Sequence, residues 1–276
     1  ASLRPAPDVP RAGSEPTHEG NRDAKTRREP GPHRANASKP KFATTSMGSM
    51  HSGVQIVLWV AGVAGTLALL ALASAALLRN PRRDPMVGLL LVAMRLFAAL
   101  VQRARYEGRG NVPSSMHAGP LIIVSNHTAG ADVPLIQAVC PFEIRWMMAR
   151  SMQVEFLQWF WEWARVIGVD FSAKDAHALR EAIRHVQGGG VLGIFPEGGL
   201  ERPARQIMPF QPGLGLLIRR TGARVLPVVI DGTPQVEPAW ASLWRMGRAR
   251  VVFHEPIDYA SSGLGPDEIV QDLERR

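Results

Sequence analysis

Cysteine is almost missing from this chain: Cys140 is the only one in 276 residues. That excludes an intrachain disulfide framework and a cysteine-built zinc cluster, and it suits a reducing compartment. The eight histidines contain no H-E-x-x-H and no pair at helical ligand spacing, so neither a metal nor any other cofactor is expected. Basic residues are not interleaved with stacking aromatics on a strand platform, which sets nucleic acid aside as a partner. Acidic charge is in short supply, with 24 Asp and Glu against 32 Lys and Arg and a net charge of +8. The anionic partner this leaves is a lipid surface.

Charge vanishes altogether from VQIVLWVAGVAGTLALLALASAALL, residues 54–78. These 25 uncharged residues exceed the roughly 20 that cross a bilayer core as a helix, and they are too long for a signal peptide. Arg79, Arg82 and Arg83 follow as a stop signal and favour a cytoplasmic position for what comes next. The segment 86–106, MVGLLLVAMRLFAALVQRARY, is apolar first and then carries Arg95, Arg103 and Arg105, so it reads as an amphipathic interfacial helix. A tilted or re-entrant membrane helix is its alternative. Pro81 and Pro85 break the chain between the two, giving a hairpin-like anchor over 47–106. Residues 1–46 are rich in Pro, Arg, Ser, Asn and Gly without apolar period and are expected to be disordered, with Met47 or Met50 as possible true starts.

From 107 to 276 strand and helix patterns alternate. LIIVSN, EIRWMMA, VIGVDF, VLGIF, ARVLPVVI and RARVVFHEPI read as strands; VPLIQAVC, the aromatic-rich VEFLQWFWEWARVI, AHALREAIRHVQ and GLGLLIRRTG read as helical. This alternation indicates an α/β domain, a mixed and mainly parallel sheet with helices on both faces. Gly188, Gly190 and Gly193 satisfy G-x-G-x-x-G, but they end a helix and enter a strand, the reverse of a dinucleotide loop.

The stretch SNHTAGADVPLI, 125–136, places His127 and Asp132 five positions apart just beyond an apolar strand. Five residues turn a helix by about 500°, so the pair cannot share a helical face. A loop that folds back at Gly130 can instead bring the carboxylate to one ring nitrogen and leave the other facing the crevice beyond the strand ends. IFPEGGLERP, 194–203, likewise follows an apolar strand and carries an acid and a glycine turn. Two strands delivering polar residues to one edge form a site.

The combination resembles the lysophospholipid acyltransferase family, whose best-known members acylate 1-acylglycerol-3-phosphate. Its N-H-x-x-x-x-D block is matched by Asn126, His127 and Asp132. Its G-x-I-x-V-D-R strand is matched in part by Val166 through Phe171, its F-P-E-G-T-R-S block by Phe195 through Glu201, and its V-x-P-V strand by Val225 through Val229. The resemblance implies a membrane-bound enzyme that takes an acyl group from acyl-CoA or acyl carrier protein, with His127 as general base oriented by Asp132, and with Glu197, Gly198 and Gly199 shaping the acceptor site. The family's phosphate-holding arginine is Phe171 here, and the Thr and Arg of the third block are Gly199 and Leu200. Arg150, Lys174, Arg202 and Arg205 are the cations expected to compensate, and lysophosphatidic acid is expected to be a poor acceptor unless one of them does. A lipid acyl hydrolase and a non-catalytic lipid-binding protein are the alternative readings.

Overall fold

The computed structural model describes residues 48–170, 175–203 and 205–276. The tail read over 1–46, Phe171 and Lys174 lie outside the described residues. The chain divides into two units, 1–55 and 56–276. Among its described residues the first holds only the opening turns of helix α1 (Gly48–Leu77). The second holds the rest.

Ser52–Leu77 is long and apolar enough to cross a membrane, and no part of it is buried in the protein. At 1.5 Å per residue these 26 residues span about 39 Å, more than a hydrocarbon core of about 30 Å. The chain then reverses. The Asn80 side chain donates to Leu77 O at 2.7 Å and Asp84 O at 2.8 Å, and Asp84 caps helix α2 (Pro85–Leu96) by accepting from Met86 N at 2.8 Å. A Cβ on Gly88 would stand 2.0 Å from Leu77 O, so only glycine lets α2 pass the end of α1 this closely. Arg82 is committed to the domain. Its guanidinium pairs with Glu143, donates to Trp163 O at 2.5 Å and lies 5.4 Å from the Trp163 ring centroid.

The helix read over 86–106 is shorter. A wider helical turn (Phe97–Val101) ends it, and Arg105–Glu107 form strand β1. Arg103 has φ of 45°, which breaks the helix, and the exposed–half-buried–exposed pattern of Arg105, Tyr106 and Glu107 suits an edge strand beside another chain segment.

The sheet has seven strands in the order β1-β7-β6-β2-β5-β3-β4. Here β2 is Leu121–Ser125, β3 Ile144–Ala149, β4 Ile167–Val169, β5 Val191–Ile194, β6 Arg224–Asp231 and β7 Arg250–Phe253. All neighbours pair parallel except β6 with β7. Every residue of β2 is buried, because the strand is central and covered on both sides. Leu121 and Ile123 join the core under α2 and α3 (Asp132–Gln137); Ile122 and Val124 join the opposite core under α5 (Ala176–Gln187), α6 (Gly213–Thr221) and α7 (Pro266–Arg275). The remaining helix, α4 (Gln158–Trp163), is a short exposed aromatic turn after β3. The parallel register sets the carboxyl ends of β2, β5, β3 and β4 along one sheet edge.

Candidate active site

His127 follows β2 by two residues, and Asp132 opens α3. His127 Nδ1 lies 2.9 Å from Asp132 Oδ2; the histidine side chain is 23% exposed and the aspartate 0%. The same Oδ2 accepts Thr128 N at 2.7 Å and Ala129 N at 2.9 Å, while Oδ1 accepts Thr128 Oγ1 at 2.8 Å. A carboxylate holding these donors has no proton to give, so the Thr128 hydroxyl hydrogen points to Asp132, and Thr233, in short contact with Thr128 Oγ1, donates to it. The Asp132 carboxylate in turn places the histidine proton on Nδ1 and leaves Nε2 with its lone pair. Gly130 lets the segment that carries Ala239 pack against this loop: a Cβ there would stand 2.7 Å from Ala239 O.

The third-block acids point inward. Glu197 is buried; one carboxylate oxygen accepts His127 N and the other Met208 N, each at 2.9 Å. Burial pushes the Glu197 carboxyl above its ordinary range, against the lowering by those two backbone N–H groups. Glu201, also buried, accepts Asn126 Nδ2 at 2.6 Å, and its own N–H donates to His127 O at 2.8 Å. Asn126 closes the frame on β6, donating to Ile230 O at 2.9 Å and accepting Ile230 N at 2.8 Å. His127 is thus held through its backbone by Glu197 and Glu201 and through its ring by Asp132.

A column of rings supports the imidazole. Phe195 stacks on His127 with centroids 4.0 Å apart and on Trp146 at 5.1 Å. Trp146 lies flat over β5 at Gly193, where a Cβ would meet the indole at 2.5 Å. Trp146, Thr128 and Thr233 escaped the sequence reading. The hydroxyls carry no spacing signal, and the glycine that marks the indole's bed was legible only as a helix stop.

The other expected site residues fall differently. Gly198 takes a φ of 74°, and Gly199 is open to its surroundings. Arg202 pairs with Glu237 and donates to Glu201 O at 2.7 Å. Arg150 follows β3, and its side chain lies against Gly168 of β4, within 3.1 Å of where a Cβ would be. A separate cleft of about 780 Å³ is lined by Arg82, Glu143, Arg145 and His185 at the starts of β3 and β5, the opposite edge of the sheet from His127.

A mainly parallel α/β sheet with a His–Asp pair at its carboxyl edge defines the class, and residues 103–231 match the family described as Acyltransferase. The chain is similar over this stretch to that family, and to 1-acylglycerol-3-phosphate acyltransferases in particular. A chloroplastic 1-acyl-sn-glycerol-3-phosphate acyltransferase of Brassica napus is 24% identical over 59% of this chain and 47% of its own length. Its counterpart from Arabidopsis thaliana is 23% identical over 55% of this chain and 42% of its own length. The chain therefore spans about half the length of these curated relatives or less. The crystal structure of the 1-acyl-sn-glycerophosphate acyltransferase PlsC from Thermotoga maritima shares the fold, with a TM-score of 0.54, 24% identity, and coverage of 67% of this chain and 75% of that one.

Proposed function

We propose that this protein transfers a fatty acyl group from a thioester donor, acyl-CoA or acyl carrier protein, to the free hydroxyl of a lysophospholipid. The observation that carries the reading is the 2.9 Å His127–Asp132 pair, with Nε2 left as a base at the sheet edge. Nε2 takes the acceptor's hydroxyl proton as its oxygen attacks the thioester carbonyl. The tetrahedral intermediate then collapses, the carbon–sulfur bond breaks, and the proton on Nε2 passes to the departing thiolate. No nucleophilic serine or cysteine is required, because the thioester is already activated. General-base catalysis of this kind supplies about 10²–10⁴-fold, and positioning supplies much of the remainder.

The relatives' names support lysophosphatidic acid as acceptor, against the expectation drawn from Phe171 and Leu200. Arg150 is the cation that reconciles the two. Its packing on Gly168 in β4, the strand of the second family block, supports it as the guanidinium that takes the acceptor phosphate. Glu197, Gly198 and Gly199 shape the acceptor side by holding the loop after β5. Helix α1 is the membrane anchor in this reading, with the domain on the cytoplasmic side.

The test offers the full chain in phospholipid vesicles lysophosphatidic acid or lysophosphatidylglycerol, with acyl-CoA or acyl carrier protein as donor, and reads diacyl product by mass spectrometry. Phosphatidic acid, lost in His127→Ala, is the expected product. Free fatty acid alone would make the protein a hydrolase. Preference for lysophosphatidylglycerol would restore the acceptor expected from the missing arginines, and no thioester turnover with either donor would end the catalytic reading.

A further inference from the structure

The segment between β6 and β7 turns a row of large apolar side chains outward. Trp240 is 58% exposed, Trp244 79% and Met246 63%, while Ala239 and Ser242 on the same short helical turn are buried. A soluble surface has no use for two such tryptophans within five residues, and indole favours the boundary between water and lipid. The nearest acid before them in sequence, Glu237, is paired with Arg202. Arg245 and Arg248 are exposed, and no acidic residue occurs from 238 to 253.

This row does not stand alone. Gln102, at the end of the α2 helical stretch, donates from Nε2 to Ser242 O at 3.1 Å and to Arg245 O at 3.0 Å, and Gly247 N donates to Val101 O at 3.1 Å. The exposed Leu100 beside this junction ends the apolar stripe of α2 that runs through Met86, Leu89, Val92 and Leu96. The exposed apolar residues of α2 therefore end beside the segment that carries Trp244. Its far end touches the catalytic loop, since Gly130 packs on Ala239.

We infer that residues 239–246 are a second membrane-docking element, which lies on an anionic bilayer surface with Trp240, Trp244 and Met246 in the interface and Arg245 and Arg248 at the headgroups. Docking at this point holds the His127 loop against the layer in which a lysolipid resides. The occupant is lipid because the segment adjoins the end of the apolar α2 stripe, bears interface-seeking indoles, and carries the exposed cations Arg245 and Arg248.

The inference rests on reading α1 as the membrane anchor, and the experiment separates the two. Full-length Met246→Cys protein is labelled with an environment-sensitive fluorophore and reconstituted into phosphatidylcholine vesicles containing phosphatidylglycerol and nitroxide-labelled lipid. Cys140 is fully buried, with its thiol pushed up to about 12, and is left unlabelled. Gln271→Cys, on α7 across the sheet from α2, is the reference. The expected result is a blue-shifted probe at 246, quenched several-fold more than at 271. Trp240→Ser/Trp244→Ser in the same chain should bring 246 down to the reference level. Flotation of the unlabelled chain reads the anchor by itself: a chain that fails to float overturns that reading. A floating chain with equal quenching at the two sites overturns the docking element, as does quenching at 246 that survives loss of both tryptophans. A blue shift at 246 without lipid quenching would mean that protein covers the face, and would also overturn it.

Discussion

Asp132 holds the amides of Thr128 and Ala129 with the same oxygen that meets His127 Nδ1. The carboxylate is therefore anchored whether or not the imidazole is present, and the imidazole gains its orientation from a group that cannot drift. If the two form the proposed base unit, His127→Ala and Asp132→Asn each lower kcat by about 10²–10⁴-fold. The double variant should be little worse than the poorer single. Losses that multiply in steady-state kinetics would show separate roles. Since Asp132 also ties the loop, each variant's urea midpoint is read alongside.

Thr233 donates to Thr128, and Thr128 to Asp132, so the second threonine reaches the proposed base only through the first. Thr128→Val removes a hydrogen bond to a charged group, worth about 1.5–3 kcal/mol. Thr233→Val should cost less, and Thr233→Ser should restore it. The positioning role predicts a fall in kcat with KM nearly unchanged; a pure rise in KM would contradict it.

Gly193 is the bed of the ring column. Gly193→Ala forces the Trp146 indole away from β5, an overpacking cost of about 1–3 kcal/mol, and through Phe195 it disturbs the His127 ring. Thermal melting should show a folded, less stable protein whose kcat falls further than its stability explains. Trp146→Leu in the Gly193→Ala background should recover stability without recovering the stack, leaving activity low. Full recovery of activity would remove the column from the mechanism.

Arg150 is the cation proposed to hold the acceptor phosphate. Arg150→Ala should raise KM for lysophosphatidic acid about 10- to 100-fold, the worth of one charge-assisted hydrogen bond. Its effect on a lysolipid without a phosphate monoester should be small, and an equal rise for both acceptors would assign Arg150 to packing alone. Arg202, already paired with Glu237, should tolerate alanine with little change in KM.

His185, at the opposite sheet edge, is expected to make stability depend on pH. Burial holds it below its usual pKa of about 6.5, outweighing the hydrogen bond to Val191 O that raises it. The unfolded chain then binds this proton more tightly than the native one, so stability rises with pH through the window between the depressed and the usual value. It is fully present above about pH 6.5 and is lost as pH falls below that toward the native pKa. Wild type should lose more of its urea midpoint between pH 7.5 and 5.5 than His185→Gln, whose amide can still donate to Val191 O. Equal losses would place the titration elsewhere.

Local pattern determined a good part of this protein. The uncharged run after residue 52 reads as a long apolar helix, and LIIV, apolar at every position, reads as a strand covered on both faces. His127 and Asp132 could be paired on paper because a backbone period says which short spacings must fold back. The pattern failed at Arg105, where a periodic reading carried the helix past its end; pairing with β7, far along the chain, decided the strand instead. What surrounds the imidazole was decided the same way. Glu197 lies 70 residues from the His127 amide it accepts, and Asn126 lies 104 from Ile230. Those partners meet only because β2 is laid between β5 and β6 in parallel register, and no spacing within either segment encodes which strand will be its neighbour. For the same reason the outward turn of Trp240 and Trp244 could not be read in advance. An aromatic pair looks alike in sequence whether it fills a core or faces a bilayer, and burial on folding is what tells them apart.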